Sequence, residues 1–153
     1  MRIVLDTSAL INALRSSTGA SAEIVRLAIS GAVALLMDHK LICEYRDVAL
    51  RPQHVIASGK SVAEIDAIID ALESIAIPVR VMIKHRPLSN DGNDDMVLDV
   101  AINGNAHVVV TNNLKDFAVA SRFGIRVLTP KDFLIAFRRE ETDHADESEK
   151  YRQ

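Results

Sequence analysis

Short runs of unbroken apolar residues, Ile3-Val4-Leu5, Val33 to Met37 and Val108-Val109-Val110, alternate with longer stretches whose apolar positions recur at helical spacing. A strand whose consecutive side chains are all apolar is buried on both faces, which is the situation of a parallel sheet covered by helices on each side. The expected fold class is therefore α/β, a three-layer α/β/α sandwich around a central, mostly parallel sheet of about five strands. At 153 residues and 48% hydrophobic content the chain can bury one sizeable core without staples.

The punctuation supports this reading. Strands are expected at Arg2 to Leu5, Val33 to Met37, Ile75 to Ile83, His107 to Thr111 and Arg126 to Leu128. Helices are expected from Ser8 to Arg15, from Ser21 to Ser30 with Gly31 as a stop, and from an Asp38 cap to about Leu50, where Arg51-Pro52 breaks the chain. Ser61-Val62-Ala63-Glu64 is a capping box opening a helix with Ile65, Ile68, Ile69 and Leu72 at the helical period. Asn90-Asp91-Gly92-Asn93 reads as a turn, followed by a helix from about Asp94 to Asn103 and a short helix near Asp116; Thr129-Pro130 starts the last one. From Arg138 apolar periodicity fails. The expected organisation is one domain over 1–137 and a charged, flexible tail over 138–153.

Composition narrows the partners. The tail holds four basic and six acidic residues, which leaves a nearly neutral body with 14 basic and 15 acidic. That argues against coating nucleic acid by bulk charge but leaves room for a local basic rim. Cys43 is the only cysteine, so no internal disulfide or cysteine-rich zinc site is available. No apolar run approaches the roughly 20 residues that span a bilayer, and the N-terminus lacks an apolar leader. The expectation is a soluble cytoplasmic protein without membrane contact.

Four acids sit at the joints of the pattern: Asp6 after the first strand, Glu44 within a helical stripe, Asp94 at a helix start, and Asp116 after the run ending at Thr111. In open parallel sheets ligands bind at the carboxyl ends of strands, where Asp6 and the segment from Thr111 to Asp116 both fall. Converging carboxylates repel one another unless a cation sits among them, and oxygen-rich sites favour Mg²⁺ or Mn²⁺. Each acid also has a plainer role. Asp6 or Asp116 can cap a helix, although Thr7 and Ser8 cap as well as Asp6; Glu44 can reach solvent or pair with Lys40 or Arg46; Asp94 favours a helix dipole by roughly 0.3–1 kcal/mol. Asp95 and Asp99 are expected on solvated faces.

Other constellations fail. Asp91-Gly92-Asn93-Asp94-Asp95 lacks the Gly and the final Glu of a calcium loop, no phosphate-cradling Gly fingerprint is present, and His39, His54, His85, His107 and His144 show no ligand spacing. With no Trp, two Tyr and four Phe, base-stacking surfaces are scarce.

Taken together, Val4-Leu5-Asp6-Thr7-Ser8, Leu41-Ile42-Cys43-Glu44-Tyr45-Arg46-Asp47-Val48, Asp91-Gly92-Asn93-Asp94-Asp95, Val109-Val110-Thr111-Asn112-Asn113-Leu114-Lys115-Asp116-Phe117 and the closing Leu128-Thr129-Pro130-Lys131-Asp132-Phe133-Leu134 resemble the PIN-domain nucleases, in particular the single-domain toxins of toxin-antitoxin pairs. The resemblance implies a Mg²⁺- or Mn²⁺-dependent endoribonuclease in which Asp6, Glu44, Asp94 and Asp116 are both catalytic residues and metal ligands, with Thr7, Ser8, Thr111 and Asn113 in support. It also implies a cognate antitoxin that covers the acidic cleft, and a homodimer. Hydrolysis would proceed by in-line attack of a metal-activated water. Arg46, Arg51, Lys84, Arg86 and Lys115 are candidates for the RNA backbone, although an ordinary solvated surface charge is the plainer reading of each. Two positions depart from the family pattern. Gly92 replaces a common Pro, and Asn113 replaces a common Asp, so a second metal would be held less well. Two alternatives remain: a PIN-type module that binds RNA or a partner without cutting, and, more distantly, a phosphoaccepting receiver domain, for which the adjacent acids after the first strand and the Lys at the end of the last are missing.

Overall fold

The computed structural model describes residues 1–85, 88–89 and 91–150. Five strands, β1 (Arg2–Leu5), β2 (Ala34–Met37), β3 (Ile77–Pro78), β4 (Val108–Val110) and β5 (Arg126–Leu128), form one sheet in the order β3-β2-β1-β4-β5 with every pairing parallel. Helices α1 (Thr7–Arg15), α2 (Ala20–Ile29), α3 (His39–Ala49), α4 (Pro52–Ser58), α5 (Val62–Ile75), α6 (Gly92–Asn103) and α7 (Pro130–Lys150) and a 3₁₀ helix over Leu114–Phe123 flank it, eight helices among the described residues. This is the three-layer α/β/α sandwich. Ile3, Val4, Val108, Val109 and Val110 are fully buried, as unbroken apolar strands require.

The strand order places the site. The chain runs outward from β1 through β2 to β3, then returns to the other side of β1 for β4, so the crossover direction reverses between β1 and β4. Ile3, Val4 and Leu5 stand opposite Val108, Val109 and Val110, which brings Asp6 and Thr111 out of the sheet side by side. The Asp6 N–H continues the ladder by donating to the Val110 carbonyl at 2.9 Å. Such a switch point at the carboxyl edge is where open α/β sheets bind ligands.

Two expected caps are present: Asp38 Oδ1 accepts from the Leu41 N–H at 2.9 Å, and Ser61 Oγ from the Glu64 N–H at 3.1 Å. Three expectations are corrected. Arg51-Pro52 breaks one helix only to begin another, α4, because proline suits the first helical position and the residue before it is extended. The strand expected over Ile75 to Ile83 shrinks to two residues, since α5 runs on to Ile75 and Pro78 has no N–H for the ladder. Beyond it, Asn103 substitutes for the sheet: its Oδ1 accepts from the Met82 and Ile83 N–H groups at 3.0 and 2.9 Å, and its Nδ2 donates to the Ile83 carbonyl at 2.8 Å. The turn expected over Asn90 to Asn93 is the start of α6, which opens at Gly92; Asn90 lies outside the described residues.

The charged tail is helical. Apolar burial ends at Phe137 and every described side chain from Arg138 on is exposed, yet the backbone stays helical to Lys150. Arg, Glu, Ala and Lys favour that conformation without packing, and Arg126 holds Glu140 at 3.5 Å. Residues 151–153 lie outside the described residues.

Candidate active site

Asp6 occupies the N-cap position of α1, but its carboxylate makes no cap hydrogen bond. Instead Oδ2 accepts from Ser8 Oγ at 2.7 Å and from Thr111 Oγ1 at 2.8 Å. Thr111 is fully buried, and its hydroxyl in turn accepts from the Asn113 N–H at 2.9 Å. Two hydroxyls and a backbone amide thus fix one edge of a carboxylate that is 6% exposed. Thr7 opens α1 beside it, and Asn113 precedes the 3₁₀ helix with an exposed side chain.

Glu44 is positioned through its neighbour. Leu41, Tyr45 and Ala49 bury one face of α3, and the Tyr45 hydroxyl donates to the Leu5 carbonyl at the end of β1. Burial raises the phenol pKa well above its ordinary range, so it stays a donor. Glu44, on the same turn, is half-buried. Its carboxyl pKa is raised first by burial, then by Asp47, Asp91 and Asp6, against a lowering by Arg51.

Asp94, in the first turn of α6, is pushed from its ordinary 3.8 up to about 6, first by burial and then by Asp91, Asp6, Asp116 and Asp95. Asp94 and exposed Asp116 line one cleft of about 540 Å³ with Asp91, Lys115, Ser89, Leu88 and Val119. The structure therefore gathers Asp94 and Asp116 at a common cleft and sets Asp6 within electrostatic reach of both Asp94 and Glu44. As the side chains stand, no three Asp, Glu, His or Cys among the described residues are close enough to hold a metal ion. The donor set has the right chemistry for a hard divalent cation, being all oxygen with carboxylates that repel one another.

Asp91 escapes the sequence pattern. Its Oδ1 accepts from the Asn93 N–H at 2.9 Å, capping α6, while its charge bears on both Glu44 and Asp94. The Asp91-x-x-Asp94 spacing across a helix start is the signal that a turn reading absorbed. Asp95 and Asp99, expected in solvent, are 7% and 5% exposed, because α6 packs against the sheet, α3 and the 3₁₀ helix. Asp95 Oδ1 accepts from Ser89 Oγ at 2.8 Å, which fastens the approach to the cleft.

The cations expected to hold a nucleic-acid backbone separate. Lys115 lines the acidic cleft. Arg51 pairs with Asp47 at 3.1 Å and acts on Glu44. Lys84 lines a different hollow with Asp38, Lys40 and Asp99. Arg46 is taken up by Asp66, Asp70 and Glu73 of α5 at 2.8, 2.9 and 3.5 Å, so a phosphate there would have to break those pairs. Arg86 lies outside the described residues.

A parallel α/β/α sandwich with crowded carboxylates at its topological switch point defines a class of acid-cleft α/β proteins. The family follows from comparison: a profile described as the PIN domain matches residues 2–115, and the chain belongs to the PIN-domain family, a nuclease-type fold. That match ends one residue before Asp116. No curated protein matches the chain. No helix among the described residues is long and apolar enough to cross a membrane.

Proposed function

We propose that the protein is a divalent-metal-dependent endoribonuclease whose acids are Asp6, Glu44, Asp94 and Asp116. One observation carries this reading. Burial and four neighbouring carboxylates push Asp94 up to about 6, a crowding that a fold tolerates where the charges serve a cation. Asp6 and Asp94 would hold the ion with Glu44, and Asp116 would complete the shell directly or through water. Mg²⁺ or Mn²⁺, when bound, supplies electrostatic stabilisation of the phosphodiester and makes water more acidic. Thr111 and Ser8 keep the Asp6 carboxylate aimed, Thr7 and Asn113 flank it, and Lys115 at the cleft wall would balance phosphate charge.

The finer reading, the toxin of a toxin-antitoxin pair acting in the cytoplasm as a homodimer held in check by an antitoxin, is supported by the resemblance of the site segments to single-domain PIN toxins. A second reading has its own observation. No three acids stand at ligand spacing among the described residues and Asn113 adds no charge, as a module that binds RNA or a partner without cutting would have it. The deciding experiment is cleavage of a panel of structured and single-stranded RNAs by wild type and Asp94→Asn with Mg²⁺, Mn²⁺ or EDTA, after removal of any copurifying protein. Metal-dependent cleavage lost in the variant supports the nuclease. Well-folded wild type that binds RNA without cutting it, equally well as the variant, would replace it with the non-cutting module.

A further inference from the structure

Asn112, next in the chain to Thr111, lines a second groove of about 370 Å³, formed where the α1–α2 connection meets the start of α7. Its charge is opposite to the cleft's. Arg15 and Lys131 line it with Ser16, Ser21, Asn112 and Thr129, and no Asp or Glu lines it. Four other arginines, Arg26, Arg46, Arg51 and Arg126, are held by carboxylates. By contrast, the Arg15 and Lys131 side chains have no ion-pair or hydrogen-bond partner among the described residues.

Ser21 also lines the groove, with a hydroxyl that makes no hydrogen bond to the described residues and is open to water. The groove is also joined to the acids by one short turn. Asn112 follows Thr111, whose hydroxyl donates to Asp6, and precedes Asn113, whose N–H donates back to Thr111.

We propose that this groove binds the backbone of single-stranded RNA next to the bond placed at the acids, with Arg15 and Lys131 on successive phosphates and Ser21 donating to a phosphate oxygen. The proposal rests on the endoribonuclease reading and gives its substrate a direction, from the acidic cleft across Asn112. It also gives a nearly neutral body a local basic surface.

The test is fluorescence anisotropy with a labelled 12-nucleotide single-stranded RNA in EDTA over a salt series, followed by cleavage in Mg²⁺. The proteins are wild type, Arg15→Gln/Lys131→Gln, and a control removing equal charge from the exposed part of α7, Arg138→Gln/Arg139→Gln. Two lost phosphate contacts should weaken binding about tenfold and lower the slope of log affinity against log salt by about 1.4. The cleavage defect should fall mainly in KM, with the control like wild type. Affinity and slope equal to wild type in the Arg15/Lys131 variant, with wild-type cleavage intact, would overturn the groove and leave the nuclease. Wild type that neither binds nor cuts RNA removes both. Weakened binding in the variant with no cleavage by any form supports the groove and removes the nuclease.

Discussion

Two charged residues of helix α3, Glu44 and Arg46, face opposite electrostatic situations. Arg46 meets Asp66, Asp70 and Glu73 of α5, three carboxylates gathered around one guanidinium, so attraction ties two helices together. Glu44 faces Asp47, Asp91 and Asp6 with only Arg51 against them, and its carboxyl is pushed up rather than down. Acid clustering is therefore not one phenomenon in this fold. Around Arg46 it fastens the scaffold; at the switch point it opposes folding in the absence of a cation, and such regions mark function better than stability.

The sharpest way to break the contrast is Asp94→Asn. Removing one carboxylate from the switch point should lower RNA cleavage roughly 10³-fold, equivalent to the several kcal/mol a metal site supplies, while the melting temperature in EDTA rises or stays level. A melting temperature that falls by many degrees would mean that Asp94 belongs with the structural acids.

Metal should separate the two regions next. Mg²⁺ at 100 times its dissociation constant stabilises a one-site protein by about 2.7 kcal/mol. Thermal melts should show that gain in wild type and in Arg46→Ala but not in Asp94→Asn. The same gain in Asp94→Asn would place the ion elsewhere.

Arg46→Ala itself should cost about 1–2 kcal/mol in urea unfolding, above a lone surface pair because three acids share the cation, with cleavage unchanged. A collapse of cleavage together with RNA affinity would return Arg46 to the binding surface.

A last expected effect is in pH. Asp94 titrates near 3.8 when unfolded and about 6 when folded, so between those values the folded protein keeps a proton that the unfolded chain releases. Stability of the metal-free protein from this group is full below about 4 and declines as pH rises through about 6. Urea midpoints across that window should slope downward in wild type and flatten in Asp94→Asn. An equal slope in both would assign the effect to another group.

What the sequence made legible was local. The strand cores read directly because Val108-Val109-Val110 needs no knowledge of its neighbours, and the acids at Asp6, Glu44, Asp94 and Asp116 stood out because they interrupt or end such patterns. What stayed hidden depends on distant partners. The third strand is short because Pro78 removes a donor, and further on Asn103, distant in the chain, takes the Met82 and Ile83 N–H groups. Asp91 reads as a turn residue because its cap is local and its pressure on Glu44 is not. Asp95 and Asp99 become buried only once α6 is enclosed by the sheet, α3 and the 3₁₀ helix. The groove with Arg15 and Lys131 joins the two ends of the domain, which no window along the chain spans.

The bond from the Tyr45 hydroxyl to the Leu5 carbonyl welds α3 to the strand that ends in Asp6. Sliding α3 alone would orphan a buried phenol, at about 1–3 kcal/mol. Glu44 and Asp6 thus behave as a fixed anvil, whereas Asp94 and Asp116 stand at the first turns of separate helices. On the metal reading proposed above, any adjustment that draws the four acids together would fall to that second pair, and the reach of the site would be set by how far two helix starts can lean toward a fixed wall.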